Sequence, residues 1–171
     1  MLTLTLLRHA KSNRDDPDLD DVDRPLTRRG EKAVPRMGAY MAAHGIQPEL
    51  IVCSSARRAH DTLTLLLPAL GGAPRVEIEA GLYLASPAAI LRRLAEVGET
   101  PKHVMVVGHN PGLHALALDL ISQGRREDIA ELGRNLPTAG LVVVNFNLKS
   151  WRLVRPALGT LRLFVRPAEV Q

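Results

Sequence analysis

A single-domain α/β fold, with a mostly parallel sheet and helices on both faces, is what this sequence predicts, on three observations. Short apolar runs alternate with helical patterns over most of the chain, the order that gives parallel strands joined by crossover helices. The 171 residues suit one core, so residues 1–171 are read as one domain. The composition, 46% hydrophobic and 23% charged, is that of an ordinary globular chain, which excludes disorder and fibrous repeats. Leu2 to Leu7 and Leu63 to Leu67 are the longest apolar stretches, far short of the roughly 20 residues of a membrane helix. No basic segment precedes the first of them, so neither a secretory signal nor a membrane partner is expected and the chain is read as cytoplasmic. Cys53 is alone, so neither a disulfide nor a thiolate zinc site is expected; it reads as a small buried apolar residue.

Taken in order, Leu2 to Leu7 alternates Leu with Thr and then turns fully apolar, as a strand entering a buried sheet does. It ends at Arg8 and His9. Residues 10–25 are polar, hold two prolines and read as a long loop. Thr27 caps a helix whose apolar positions Val34, Met37 and Met41 have helical spacing; Pro35 is expected to kink it or shift its start, and Gly45 closes it. Leu50 to Cys53 is a strand, with Ser54 and Ser55 as candidate caps for a helix to about Leu67 that carries Arg57 and Arg58 in its first turn. Arg75 to Glu79 is a short strand, and Ser86 with Pro87 starts a helix over Ala88 to Val97. Residues 103–107 form another buried strand, followed after Gly108-His109-Asn110-Pro111-Gly112 by a helix from about Leu113 to Ile121. Leu141 to Asn147 and Trp151 to Arg155 read as a hairpin, with a last strand over Leu161 to Val165.

The net charge is +4, but six of the 18 acidic residues (Asp15, Asp16, Asp18, Asp20, Asp21 and Asp23) sit in one nine-residue stretch without Lys or Arg. The rest of the chain is therefore strongly basic, which suits an anionic ligand. Aromatic residues at 3% are too few for a stacking platform, so a nucleic-acid partner is not expected. Asp16, Asp18 and Asp20 alternate as in a calcium loop, yet Asp21 stands where an EF-hand needs glycine and Thr27 where it needs glutamate. The stretch reads as a solvated loop whose charge, beside a cationic pocket, is expected to disfavour highly anionic substrates and to orient a basic protein surface.

In open α/β sheets ligands gather at the carboxyl ends of the strands. Three such ends here carry Arg8 and His9, Arg57 and Arg58, and His109. A guanidinium is a planar fork of donors that stays charged and matches phosphate oxygens. A neutral imidazole beside such charges keeps a free ring nitrogen and is a nucleophile near neutrality. A second imidazole can stabilise charge on a transferring phosphoryl group, and no metal or other cofactor is required.

These segments also carry a family resemblance. Leu6-Leu7-Arg8-His9-Ala10-Lys11-Ser12 resembles the Arg-His-Gly motif of the histidine phosphatase superfamily, of phosphoglycerate-mutase-like fold, with Ala10 in place of glycine. Arg24-Pro25-Leu26-Thr27 followed by Gly30 resembles an element of the SixA-like phosphohistidine phosphatases. Ser54-Ser55-Ala56-Arg57-Arg58-Ala59 with Thr62 resembles the helix start that supplies the family's second arginine, here Arg58. Val107-Gly108-His109-Asn110-Pro111 resembles its second histidine motif, and the four lie in the family's order between residue 2 and about residue 147.

The resemblance implies that His9 attacks phosphorus, becomes phosphorylated, and is freed by water with release of inorganic phosphate. Arg8, Arg58 and His109 would bind the phosphoryl oxygens. Arg24 is a candidate substrate contact, as are Ser12, Asn13 and main-chain N–H groups near Thr138 to Gly140. Family members that cleave phosphate esters often use a carboxylic acid to protonate the leaving group. The matching region here, Gly81 to Ala85, has none; Glu77 and Glu79 precede it, and Glu96 and Glu99 lie beyond the next helix. General acid catalysis is commonly worth about 10² to 10⁴ in rate. Its absence favours a labile P–N bond, hence a phosphorylated protein bearing phosphohistidine as substrate. The alternatives are a small phosphorylated substrate such as a sugar or nucleotide phosphate, or a non-catalytic module that binds phosphorylated ligands.

Overall fold

The computed structural model describes residues 1–171. Its strands are β1 (Leu2–Arg8), β2 (Leu50–Ser54), β3 (Arg75–Glu79), β4 (His103–Gly108), β5 (Ile121–Gln123), β6 (Leu141–Phe146) and β7 (Gly159–Val165). Its helices are α1 (Arg28–Ala43), α2 (Arg57–Leu66), α3 (Pro87–Ala95), α4 (Gly112–Leu120) and α5 (Arg126–Arg134). All seven strands form one sheet in the order β3-β2-β4-β1-β6-β7-β5. Only β6 runs against the others, pairing antiparallel with β1 and β7, so the sheet is mixed and mostly parallel.

Alternation along the strands divides the interior in two, because successive side chains leave opposite faces. Leu4, Leu6, Val52, Val104, Val106 and Val142 pack with α3, α4 and α5. Leu7, Ile51, Cys53, Met105, Val107 and Val143 pack under α1 and α2. Central strands sealed on both faces explain why β1, β2 and β4 read as near-continuous apolar runs. No helix is long and apolar enough to cross a membrane.

The helix starts follow their caps. Thr27 accepts a hydrogen bond from the Gly30 N–H at the head of α1, and Ser86 accepts from Ala89 N–H at the head of α3. Gly45, at φ +66°, takes the left-handed turn after α1. Pro35 lies inside α1 without moving its start, which remains at Arg28. The cap expected at the head of α2 is absent: its N-cap is Ala56, which has no side-chain acceptor, and Ser54 serves a different purpose described below.

Two departures lie toward the C-terminus. The expected hairpin strand at Trp151 to Arg155 is a 3-10 turn over Trp151–Leu153, and β6 pairs instead with β7. Trp151 is buried and donates its indole N–H to the Pro101 carbonyl at 2.6 Å, while Ser150 caps the turn. The alternating pattern there comes from an anchor residue, not from a pleat. The second departure is β5 and α5, in a polar stretch where α5 buries only Leu132 and so shows little apolar periodicity.

Candidate active site

The sheet order brings three strand ends together at its carboxyl edge. β1 lies between β4 and β6, with Arg8 opposite Gly108 and Leu7 opposite Leu141. β2 borders β4 on the other side, with Cys53 opposite Val107. The residues that leave β1, β4 and β2 are therefore His9, His109 and the head of α2 with Arg58. His9, Arg58 and His109 are 7%, 2% and 2% exposed, among the few polar side chains inside the molecule.

His9 is held in one tautomer. Its Nδ1–H donates to the Ala10 carbonyl at 2.7 Å, which leaves Nε2 with the free electron pair. The loop below it is fixed by Thr62, whose hydroxyl accepts from Ala10 N–H at 2.9 Å and donates to the Arg58 carbonyl at 2.7 Å. Thr62 thus ties the nucleophile's loop to α2. Burial pushes the His9 imidazole down to about 3, opposed by the Ala10 bond and aided by His109, Arg58 and Arg8. The ring is neutral at physiological pH, with a free electron pair at Nε2.

The His109 ring lies 5.2 Å from the His9 ring, centroid to centroid, tilted at 51°. Ser54 Oγ accepts from Ala56 N–H at 3.2 Å and lies 2.7 Å from His109 Nε2. Ser54 and His109 thus share one hydrogen bond, in which the Ser54 hydroxyl donates to Nε2 when the ring proton is on Nδ1. Burial first, then Arg58, holds His109 near 4, so this ring too is neutral, a donor without a charge. Ser54, quoted above as part of a motif and as a helix cap, orients the second histidine. The sequence signal for that role is its place at the end of β2, beside β4.

The two principal arginines are anchored by their outer nitrogens. Arg8 Nη1 donates to the Leu136 carbonyl at 3.0 Å. Arg58 Nη1 donates to the Asp21 carbonyl at 2.7 Å and Nη2 to Asp21 Oδ2 at 3.1 Å. Arg8 Nε, Arg58 Nε and His109 Nδ1 are buried without hydrogen-bond partners. Buried donors normally find partners. Two unpartnered arginine N–H groups and one unpartnered ring nitrogen around His9 are what an oxyanion would satisfy.

The other expected contacts take these places. Arg24 donates from Nε to Asp21 Oδ1 and from Nη1 to Ser12 Oγ, both at 2.9 Å, so Ser12 supports Arg24. Asn13 turns its side-chain oxygen to Asp15 N–H at 2.6 Å. The N–H groups of Ala139 and Gly140 are taken by the Arg8, His9 and Pro137 carbonyls. Arg57 is exposed and pairs with Asp61. Glu77 and Glu79 are both paired with Arg93.

Asp21 and Tyr83 complete the rim. Tyr83 donates its hydroxyl to Asp21 Oδ2, stands edge-on to His109 at 5.5 Å, and lies 5.7 Å from the Arg58 guanidinium carbon. The Tyr83 bond, with Arg58 and Arg24, holds the Asp21 carboxyl down at about 2. Asp21 is therefore an anion, not an acid. Its signal in the sequence is the Asp-x-x-Arg spacing to Arg24 on one tight turn, hidden among five other aspartates.

Beside this site, two adjoining clefts of about 360 and 440 Å³ share Arg29 and Ala33 of α1. Lys11 and Arg166 line the first, and Lys32 and Arg36 the second.

Residues 4–83 match the model of the histidine phosphatase superfamily (branch 1). An uncharacterized protein of Mycobacterium tuberculosis (strain H37Rv) is 32% identical over 157 residues, covering 91% of this chain and 96% of the relative. A crystal structure from Agrobacterium tumefaciens, assigned as the phosphohistidine phosphatase SixA, superposes with a TM-score of 0.82 at 27% identity, over 97% of this chain and 98% of that one. A second, from Nakamurella multipartita and likewise assigned as SixA, gives 0.83 at 28% identity, over 97% and 96%.

Proposed function

This chain belongs to the histidine phosphatase superfamily (branch 1), a SixA-like phosphatase acting on phosphoryl groups, and we propose that it hydrolyses phosphohistidine on a protein substrate through His9. The observation that carries this reading is the state of His9: a buried, neutral imidazole with Nδ1 committed to Ala10 and Nε2 free, surrounded by Arg8, Arg58 and His109.

The chemistry proceeds in two displacements. His9 Nε2 attacks phosphorus in line; the Nε2–P bond forms as the substrate's P–N bond breaks, and the departing imidazole takes a proton from solvent. Arg8, Arg58 and His109 donate to the phosphoryl oxygens, where charge accumulates. The Ala10 carbonyl stabilises the positive charge that develops on the His9 ring. Water then attacks phosphorus, the electron pair returns to Nε2, and inorganic phosphate leaves. Arg24, held by Ser12, adds positive charge at the rim.

Phosphohistidine is favoured over phosphate esters because Asp21, the carboxylate bonded to Arg58, is held ionised. An ester would need a proton at its leaving oxygen that this carboxylate does not carry. Imidazole leaves without that help from the protein. The cationic clefts at the same edge of the sheet suit a macromolecular substrate with an acidic surface, as a cytoplasmic signalling protein would present.

A turnover panel with chelator present tests the reading. A phosphohistidine protein should be hydrolysed with a kcat/KM at least about 10²-fold above that for aryl, sugar and nucleotide phosphates. Equal or better turnover of an ester would contradict the assignment of substrate. Binding without any turnover would leave a phospho-ligand module.

A further inference from the structure

We propose that Asp21 is the positioning residue of the phosphoryl site, clamping the outer nitrogens of Arg58 so that its inner Nε–H is left for the substrate. The inference rests on the reading that Arg58 binds the phosphoryl group.

Three observations carry it. First, one residue takes both ends of the Arg58 fork: its carbonyl accepts from Nη1 at 2.7 Å and its carboxylate from Nη2 at 3.1 Å. A guanidinium held at both outer nitrogens cannot rotate about its own axis, so its Nε–H, the one nitrogen without a partner, has a fixed direction. Arg8, by contrast, is anchored at Nη1 alone, with its Nε likewise unpartnered and buried. Second, the same carboxylate accepts from Arg24 Nε at 2.9 Å, on its own turn, and from the Tyr83 hydroxyl, on another element. A single side chain thereby joins the loop after the nucleophile, α2 and the turn before α3.

Third, charge requires such a residue. Arg8, Arg24 and Arg58 bring three fixed positive charges to one edge of the sheet. Arg58 and Arg8 both act on His109, as do Arg24 and Asp21, the last in the opposite sense. Three guanidinium groups this close repel one another, and one carboxylate among them lets them stay converged. Asp21 does so with its side chain 51% exposed, and it is not among the charged groups that act on His9. That location separates a clamp from a competitor. A carboxylate occupying the phosphoryl position would be buried against the nucleophile, and its removal would strengthen oxyanion binding; removal of a clamp weakens it.

The test uses the full chain with Asp21→Asn, Asp21→Glu, Arg58→Ala and the double variant Asp21→Asn with Arg58→Ala. Orthovanadate binding is measured by calorimetry, and turnover on an aryl phosphate and on a phosphohistidine protein. In Asp21→Asn, vanadate affinity should fall roughly 10- to 100-fold and KM should rise more than kcat falls, for both substrates alike. In the Arg58→Ala background the same change should have less than a twofold effect, because there is no longer a guanidinium to hold. Asp21→Glu should recover part of the loss. Tighter vanadate binding in Asp21→Asn would overturn the proposal in favour of a competing carboxylate. Unchanged binding, or an equal loss in the Arg58→Ala background, would overturn it as well. Wild-type phosphoenzyme formation is scored separately: its absence sinks the reading of His9 while leaving the coupling of Asp21 to Arg58 measurable.

Discussion

At the scale of single residues, the account depends on where protons sit. His9 and His109 are both held well below the usual imidazole range, to about 3 and about 4, with burial as the leading cause and Arg58 among the charges that add to it. With His9 as the proposed nucleophile its active form is the neutral one, so protonation inactivates, and the midpoint of that loss follows the folded-state value. The kcat/KM profile should stay flat from pH 8 down to about pH 5 and fall only below it; an acid limb centred near 6.5, the free imidazole value, would show that His9 is not desolvated in this way. Stability should follow the same sign. Between the ordinary histidine value and these depressed ones, the unfolded chain binds protons that the folded chain refuses. Each such group therefore removes up to about 1.4 kcal/mol per pH unit as the pH falls through that window. His103, lowered to about 4 mainly by burial, adds to the trend. Most of these residues were legible in the sequence because strand ends and motif spacing mark them. Asp21 was not: its spacing to Arg24 is hidden in a run of six aspartates until the chain turns it toward Arg58 and Arg24.

At the scale of elements, precision comes from close backbone approach. The head of α1 lies against the loop that follows His9, and a Cβ on Gly30 would stand 2.3 Å from the Lys11 carbonyl oxygen. Thr27 N–H donates to that same carbonyl at 2.9 Å, so the two segments cannot separate without losing a bond. Gly30→Ala should cost about 1 to 3 kcal/mol in stability, read by urea unfolding, and lower turnover by displacing Lys11 and with it Ala10. An alanine variant of wild-type stability and activity would show that the contact is loose. The same packing explains what sequence patterns could and could not convey. Thr27, Val34, Met37 and Met41 announce α1 by cap and period, β2 and β4 announce themselves by near-continuous apolar runs, and β1 does so by a Leu-Thr alternation that turns fully apolar. Trp151 to Arg155 imitates a strand because a buried Trp and Val154 flank exposed residues, and the distinction from a pleat depends on the indole bond to Pro101. α5 fully buries only Leu132, with Ile129 partly buried against the core, too little apolar periodicity to mark a helix.

At the scale of the whole molecule, the charge distribution has a direction. Lys11, Arg29, Lys32 and Arg36 line the two clefts beside α1 and none forms an ion pair, whereas the acidic run lies on the loop that folds over the site. An acidic protein surface approaching along the clefts would bring its phosphohistidine toward His9. Reversing two of these charges, Arg29→Glu with Arg36→Glu, should raise KM for a phosphohistidine protein by roughly tenfold at low salt. KM for an aryl phosphate should move less than twofold. An equal change for both substrates would show that the clefts tune the field of the site and do not dock a partner.

All of these expectations meet at one covalent bond. Rapid mixing of the protein with labelled phosphohistidine protein, followed by a denaturing quench, should yield a phosphoenzyme that is acid-labile, stable to alkali and absent from His9→Ala. A label that persists in His9→Ala, or turnover by the wild type without any trapped intermediate under single-turnover conditions, would contradict the account.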